Sequence, residues 1–416
     1  MRKIILFGVV LAVLYLVSSC KKDDGFDDIT PVYLSTSEGY APTTLHDALT
    51  LKGKLESAGL TDLAAMATYD VKLFKIKYKT TFDGQQVEAS GLVAAPVNLS
   101  GDKEFPMMSF QHGDLTRDQD APTNSPESGI YAKLCYMASS GLIVVMPDYI
   151  GYGATVDKYH PYMIKSLNVV PILDMIRAAK ELVIDEKVCK YDDRLFLTGL
   201  SEGATFSLAA LSEIENGTKY SDLKVTASAC CSGVYDLIEF HSWMVGQTQF
   251  ENPFFMAAML ESFSKYGNMT MDYSRVFSTS FASKIPGIVD GSRTMDAINS
   301  SFGTYHVGEL FNDTFEDTLK CYNDTNYDQL QKLFVENSIP VWNLKTEVTF
   351  YYWKSDVWVP SDQTFFAYLA FKELATKQSS EVKVKINATE GASRDAAAIA
   401  MLAKAVQKFE NTNWDK

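Results

Sequence analysis

Histidine is scarce in this chain of 416 residues, and its distribution is uneven. The five histidines are His46, His112, His160, His241 and His306, so none follows position 306. Histidine is the side chain whose ordinary pKa lies nearest neutral pH, and it is the most frequent proton acceptor in enzyme sites. The part of the chain beyond residue 306 therefore cannot supply a histidine base.

Basic charge is also in short supply. Lysine and arginine together number 38 against 52 aspartates and glutamates, which gives a net charge of −14. Nucleic-acid binding depends on clustered basic side chains, and the sequence contains no basic stripe. We therefore predict no nucleic-acid partner.

Cysteine is sparse, and its spacing excludes two further classes of protein. Five cysteines follow Cys20, an odd number at irregular intervals, which does not resemble a disulfide framework. No C-x-x-C pair or histidine cluster offers a zinc site. Neighbours in a strand point to opposite faces, so we expect at most one of Cys230 and Cys231 to face the core.

The one long apolar run is at the N-terminus, and it is short for a membrane span. Arg2-Lys3 precedes an apolar stretch from Ile4 to Leu16, and Val17-Ser18-Ser19-Cys20 resembles a bacterial lipobox. We predict a lipoprotein signal peptide over 1–20, a tether over 21–45, and a membrane anchor through acyl chains on Cys20. The chain would then be an exported, outer-membrane or cell-surface lipoprotein. A cleaved secretory peptide with an incidental cysteine is the alternative.

Beyond the tether, strand-like and helix-like segments alternate. The segments 71–79 and 87–95 flank Asp83-Gly84 and predict a hairpin. Further strands are predicted at 106–110, 142–146, 195–198, 224–231, 348–353 and 381–386, with helices between several of them. This alternation predicts an α/β fold with a mainly parallel sheet flanked by helices. Residues 237–342 lack the alternation and predict an inserted helical cap, which divides the core into 46–236 and 343–416.

The segment Gly199-Leu200-Ser201-Glu202-Gly203 has the G-x-S-x-G pattern. It follows a strand-like run and precedes a helix-like run, which is the context of a nucleophilic serine on a tight turn. A serine hydroxyl is a weak nucleophile until a base removes its proton. Asp356 follows the predicted strand 348–353, at the position and in the chain order expected of a catalytic acid.

These features together resemble the α/β-hydrolase superfamily, in particular secreted lipases and esterases of bacteria and fungi. The resemblance extends from about residue 76 to 410 and rests on the motifs QHG at 111–113, PDYIGYG at 147–153, HPY at 160–162, GLSEG at 199–203 and DVWVP at 356–360. It implies hydrolysis of carboxylic esters or lipids, with no metal or organic cofactor, by a Ser-Asp-His triad formed by Ser201, Asp356 and a histidine near the C-terminus.

The resemblance also assigns the remaining site residues. Backbone N–H groups of Gly113 and Glu202 would form the oxyanion hole. The histidine belongs in the last strand-to-helix loop, where Ser393 stands at its position. Asp148 and His160 are interpreted as structural.

Three functions remain open from the sequence. The chain is an active hydrolase with a relocated base, His241 or His306, or it is a catalytically inactive relative that binds a lipidic or glycan-derived ligand. A peptidase ranks third, because nothing favours an amide over an ester. The expected partners are a small-molecule ester, a lipid or an acylated ligand.

Overall fold

The computed structural model describes residue 26 and residues 29–39 and 45–411, with side chains described up to residue 409. The predicted signal peptide and Cys20 lie outside the described residues. Within these ranges, no helix combines the length and the hydropathy needed to cross a membrane.

The described strands form one mixed sheet. They are β1 (Leu34–Gly39), β2 (Leu45–His46), β3 (Val71–Phe82), β4 (Gln85–Pro96), β5 (Glu104–Gln111), β6 (Ile143–Pro147), β7 (Lys190–Leu200), β8 (Val225–Cys231), β9 (Glu347–Trp353) and β10 (Val384–Thr389). Their order is β1-β3-β4-β6-β5-β7-β8-β9-β10, and β2 pairs with β3. The strands β5 to β10 pair with one another in parallel, and the remaining pairings are antiparallel, which confirms the predicted α/β architecture.

The described α-helices alternate with the parallel strands and also form a long insertion. They are α1 (Ala48–Ser57), α2 (Thr61–Met66), α3 (Gly129–Met137), α4 (Lys165–Asp185), α5 (Glu202–Asn216), α6 (Leu237–Val245), α7 (Phe254–Tyr266), α8 (Thr279–Ala282), α9 (Ile285–Ile288), α10 (Met295–Ser300), α11 (Val307–Leu310), α12 (Asp313–Glu316), α13 (Thr318–Asn323), α14 (Asp328–Asn337), α15 (Ser361–Lys377) and α16 (Arg394–Asn411).

The hairpin of β3 and β4 confirms its sequence signal. Asp83 and Gly84 both have positive φ, 47° and 74°, as a two-residue turn between twisted strands requires. Phe82 pairs with Gln85 and the ladder continues to Val71 and Pro96. The Asp-Gly pair therefore fixes the register of both strands.

The sheet has an apolar core on each face. The two neighbouring cysteines of β8 point to opposite faces, and each packs into one of these cores. Cys230 packs in the cluster with α4 and α5, whereas Cys231 packs in the cluster with α3 and α16. Both side chains are fully buried, and all five cysteines after Cys20 are unpaired. The expectation that at most one of the two faces a core was wrong, because helices cover both faces of a central parallel strand.

The helices from α6 to α14 lie between β8 and β9 and surround a core of their own. Phe240, Phe263, Phe277 and Phe315 are among its fully or almost fully buried side chains. We call this insertion the cap.

The predicted tether includes part of the sheet. Residues 34–39 form β1, which pairs with β3, and the Glu181 carboxylate of α4 accepts hydrogen bonds from the N–H groups of Tyr33 and Leu34 at 2.8 and 2.7 Å. The tether prediction is therefore wrong for this strand. The polar sequence hid it because an edge strand needs few buried side chains, and only Leu34 of β1 is buried.

Candidate active site

Ser201 lies between β7 and α5 in a strained backbone conformation. Its φ and ψ are 56° and −123°, values that residues with a Cβ rarely adopt, and its N–H donates to the carbonyl of Cys231 at 2.9 Å. The turn brings the hydroxyl to the carboxyl end of the parallel strands, where open α/β sheets bind ligands. The nucleophile-elbow geometry predicted from the pentapeptide is thus present.

The two glycines of the pentapeptide permit this turn. A Cβ on Gly203 would come within 2.1 Å of the Gln111 carbonyl oxygen, and one on Gly199 within 2.2 Å of the Gly203 carbonyl oxygen. Backbone atoms cannot yield as a flexible side chain can. The small residues therefore allow α5 to begin directly against the ends of β5 and β7.

The predicted oxyanion positions lie beside Ser201. Gly113 packs so closely against the turn that an added Cβ would be 3.1 Å from the Leu200 carbonyl oxygen and 3.4 Å from the Ser201 Cβ. Glu202 is the first residue of α5, so its N–H belongs to a helix N-terminus, which favours negative charge. The structure thus brings Gly113, Ser201 and Glu202 together.

An aspartate that sequence reasoning did not select contacts the serine. The Ser201 hydroxyl donates to Asp114 Oδ2 at 2.8 Å, and the Tyr162 hydroxyl donates to Asp114 Oδ1 at 2.6 Å. Asp114 directly follows the QHG motif, and this position in the sequence is the signal by which it could have been found.

On the other side of Ser201, an arginine lies between the serine and Asp356. Arg394 Nη2 donates to Ser201 Oγ at 3.3 Å, and Arg394 Nε lies 4.0 Å from Asp356 Oδ1. The guanidinium carbon is 4.0 Å from the ring centroid of Trp358, close enough for a cation–π contact. Asp356 Oδ1 also accepts from the N–H groups of Trp358 and Val359 at 3.0 and 3.1 Å, which fixes the carboxylate.

Ser393 does not occupy the place that the resemblance gave it. Its side chain is exposed, and its hydroxyl accepts from the Ala396 N–H at 3.2 Å in the first turn of α16. The next residue, Arg394, is the one that extends to Ser201. The two neighbours differ because the direction of a side chain at a helix start depends on how the helix docks.

The two histidines considered as relocated bases lie elsewhere. His241 is fully buried in the cap, where Nδ1 bonds the Tyr322 hydroxyl at 2.5 Å and Nε2 bonds the Phe315 carbonyl at 3.0 Å. Burial lowers its pKa to about 4. His306 is exposed at the start of α11. The Ser201 hydroxyl bonds Asp114 and Arg394 instead, so the geometry supports neither histidine as its base.

His160, interpreted as structural, contacts the residue after the serine. Its Nε2 lies 3.0 Å from Glu202 Oε1, and its Nδ1 lies 2.9 Å from the Ile150 carbonyl oxygen. Burial raises the pKa of Glu202, while the neighbouring His160 acts in the opposite direction. Glu202 is only 2% exposed, and within the described chain its Oε2 has no hydrogen-bond partner. The pair fastens the 160–163 loop to the start of α5.

Asp148 is held inside the core, away from any solvent path. Its carboxylate accepts from the hydroxyls of Ser90 and Thr123 at 2.6 Å each and from the Thr123 N–H at 2.9 Å. Burial raises its pKa against these hydrogen bonds. This arrangement fits the structural role that the sequence suggested.

Apolar side chains close the remaining sides of the site. The cavity at Ser201 is small, about 10 Å³, and the residues from or next to the cap that line it are Val234, Leu237, Phe240, Phe255 and Met259. In the described ranges, no group of three or more His, Cys, Asp or Glu side chains is placed to hold a metal ion.

Comparison with known proteins gives matches at the level of structure. No protein-family model and no curated protein sequence matches the chain. Among solved structures, a candidate hydrolase from Legionella pneumophila is similar with a TM-score of 0.79 and 25% identity, covering 92% of this chain and 99% of the other.

Two further structures extend the comparison to esterases and lipases. The rice cell wall degrading esterase LipA from Xanthomonas oryzae has a TM-score of 0.73 and 21% identity, over 91% of this chain and 97% of that one. Candida antarctica lipase A has a TM-score of 0.55 and 16% identity, over 86% and 76%. The sheet order, the strained serine between β7 and α5, and the similarity to these hydrolase structures place the chain in the α/β-hydrolase fold.

Proposed function

We propose that Ser201 is the centre of an ester-binding site of the serine-hydrolase type whose turnover is slow because Arg394 stands where the base belongs. One observation carries the proposal, the guanidinium of Arg394 placed between Ser201 Oγ and the Asp356 carboxylate. The ligands are carboxylic esters, lipids or acylated molecules that place a carbonyl group at Ser201.

Arginine cannot replace histidine in this position. A guanidinium stays protonated at neutral pH and has no acceptor atom, so it cannot take the hydroxyl proton of Ser201. It donates to Oγ instead, which engages the oxygen that would attack a carbonyl. The rest of the site keeps the shape of a hydrolase centre, and binding would therefore persist where turnover is lost.

Asp114 adds a second obstacle to catalysis. The Asp114 carboxylate beside Ser201 opposes the negative charge that develops on a carbonyl oxygen during acyl transfer. Asp114 thus hinders ester hydrolysis by the sign of its charge, and Arg394 hinders it because a guanidinium cannot accept the serine proton.

A second candidate function is favoured by the same aspartate. The Ser201 hydroxyl donates to Asp114 Oδ2 at 2.8 Å, within the range required of a general base. Aspartate is ordinarily a weaker base than histidine. In this alternative the chain is an ester hydrolase with a carboxylate base.

Activity measurements on p-nitrophenyl acetate and butyrate separate the two candidates. We expect wild type to match Ser201→Ala, and Arg394→His to gain Ser201-dependent activity of about 10²-fold, the low end of general-base contributions. Arg394→Gln is the matched control, because it removes the guanidinium without adding a base, and we expect no comparable gain. Arg394→His combined with Ser201→Ala should lose the gain.

Two results would decide against the first candidate. Fast wild-type hydrolysis that Ser201→Ala abolishes would overturn slow turnover, and an equal loss in Asp114→Asn would establish the carboxylate base. Labelling by a fluorophosphonate gives an independent readout, and we expect wild type to label far more slowly than Arg394→His.

Export and membrane attachment through Cys20 form a further part of the proposal. They rest on the apolar run and the lipobox-like residues 17–20 of the sequence. Peptide hydrolysis remains the lowest-ranked activity, since no residue at Ser201 selects an amide.

A further inference from the structure

Two cavities lie on either side of Tyr162. The inner cavity contains Ser201 and measures about 10 Å³. The outer cavity, between the cap and the loops after β5 and β6, measures about 120 Å³. An apolar cavity of about 150 Å³ can bind benzene, so the outer cavity has room for a group close to that size and the inner one does not.

Three pairs of residues that are neighbours in the chain form the wall between the cavities. One member of each pair lines the inner cavity, and the other lines the outer cavity. Asp114, Met163 and Phe255 line the inner cavity, and their neighbours Leu115, Tyr162 and Phe254 line the outer one. Tyr162 is the member that borders both. Its side chain therefore separates the outer cavity from the inner cavity at Ser201.

The Tyr162 side chain is held by one hydrogen bond and by ring contacts, including one with His160 at 6.2 Å between centroids. Its hydroxyl donates to Asp114 Oδ1 at 2.6 Å, and its ring lies 5.7 Å from that of Phe254 in the cap helix α7. The following residue, Met163, has a φ of +58°, and its N–H donates to Glu202 Oε1 at 3.3 Å. The backbone is thus fixed to α5, while the ring is held by one hydrogen bond and apolar packing.

We propose that the ligand of the Ser201 centre occupies the outer cavity and reaches Ser201 past Tyr162, whose side chain limits the size of the group that can enter. This proposal rests on Ser201 being the ligand centre. The Tyr162 ring turns away from Asp114 to join the cavities, and the hydrogen bond between them holds the closed state.

The lining of the outer cavity indicates an uncharged apolar or aromatic group. Tyr152, Tyr159 and Phe254 supply ring surfaces. The Asp118 carboxylate accepts from the Gly153 N–H of the loop after β6, and the Asp290 carboxylate accepts from the Ser292 hydroxyl of its own loop. The cation in the lining, Lys158, lies 3.3 Å from Asp157. The two carboxylates of the lining disfavour an anionic ligand.

Thiol labelling measures access to position 201 without requiring catalysis. In Ser201→Cys protein, the thiolate attacks the sulfenyl sulfur of an alkyl methanethiosulfonate, forms a mixed disulfide and releases methanesulfinate. The measured quantity is the rate with the benzyl reagent divided by the rate with the methyl reagent. The ratio cancels variant effects on thiolate formation, and protein with Ser201 intact gives the background from the buried native cysteines.

We expect Tyr162→Ala to raise the benzyl-to-methyl ratio at least about tenfold. Tyr159→Ala is the matched control, because Tyr159 lines the outer cavity alone, and we expect the ratio to stay within about threefold. Val156→Trp, at an exposed position of the outer cavity, should lower the benzyl rate and spare the methyl rate. In Tyr162→Ala, an anionic sulfonatoethyl reagent should react more slowly than the benzyl reagent.

The proposal is overturned if Tyr162→Ala leaves the ratio unchanged, if Tyr159→Ala raises it equally, or if Val156→Trp spares the benzyl rate. A sulfonatoethyl rate above the benzyl rate would overturn the ligand class. These outcomes are independent of the base at Ser201, because a failure of the Arg394→His test leaves thiol access unaltered.

Discussion

The backbone strain at Ser201 is a local cost that the surrounding structure supports. A residue with a Cβ in such a conformation typically costs the folded protein about 1–3 kcal/mol of stability. The turn is held by the Ser201 N–H to Cys231 bond and by the close packing of Gly113. The strained conformation places the hydroxyl and does not stabilise the fold.

Replacing Ser201 by glycine should therefore stabilise the protein relative to Ser201→Ala. Both variants lack the hydroxyl, but alanine keeps the strain, and glycine relieves it at the cost of a more flexible unfolded chain. We expect Ser201→Gly to be more stable by about 1 kcal/mol in urea unfolding. A glycine variant less stable than the alanine variant would contradict strain at this residue.

Ser201 also shows how charged neighbours change a site while its shape is kept. Arg394 and Asp114 both hydrogen-bond the hydroxyl; Asp114 lies in the loop after β5, and Arg394 is the first residue of α16. The same elbow with a neutral imidazole would be a nucleophile. The chemistry of the site thus depends on two side chains outside the G-x-S-x-G pattern.

At the scale of elements, the strands and the elbow could be predicted because their signals are local. The Asp-Gly turn between β3 and β4 requires positive φ at two neighbouring residues, and the glycines around Ser201 mark a tight approach. The strand β1 was missed because its one buried side chain, Leu34, gives too little alternation to detect. The strand with which it pairs, β3, lies more than thirty residues further along the chain; Leu34, for example, pairs with Tyr78. No local signal could therefore reveal this pairing.

The cap helix α6 contains a pH-sensitive contact in His241. In the neutral form, Nε2–H donates to the Phe315 carbonyl and Nδ1 accepts from Tyr322, so both nitrogens are satisfied without a proton from solvent. Burial lowers the pKa of His241 to about 4, below the ordinary value of 6.5. The unfolded chain therefore binds a proton at higher pH than the folded chain does.

This difference in the pKa of His241 should lower the free energy of unfolding as pH falls from about 6.5 towards 4. Above pH 6.5, His241 is neutral in both states and should not change the free energy of unfolding with pH. Between pH 7.5 and pH 5, we expect wild type to lose about 2 kcal/mol more than His241→Gln, measured by urea unfolding. His112, whose pKa burial also lowers to about 4, remains in both proteins and serves as an internal control. Equal losses in the two proteins would contradict a neutral buried His241.

At the scale of the whole molecule, the cap and the sheet each have a core, and the ligand cavities lie where they meet. The residues lining the outer cavity come from the loops after β5 and β6 and from the cap. A ligand bound there contacts both parts, so motion of the cap would alter access to Ser201.

The proposed membrane anchor also belongs to this scale. Acyl chains on Cys20 would hold the folded part at a membrane surface through the residues between them. We expect the full-length chain expressed in a bacterium to remain in the detergent-extractable membrane fraction, and Cys20→Ser to be released from it. Cys135→Ser, which removes a buried thiol, is the matched control and should stay with the membrane. Release of both variants, or of neither, would contradict the anchor.

The sequence by itself determined the α/β-hydrolase fold and the elbow at Ser201, because these depend on local turns, strand periodicity and chain order. Only the tertiary structure decided which side chains meet the serine. Ser393 and Arg394 are neighbours in the sequence, but the docking of α16 turns the first to solvent and the second to Ser201. Asp114 reaches the same hydroxyl because β5 and β7 are adjacent in the sheet, although 87 positions separate the two residues in the chain.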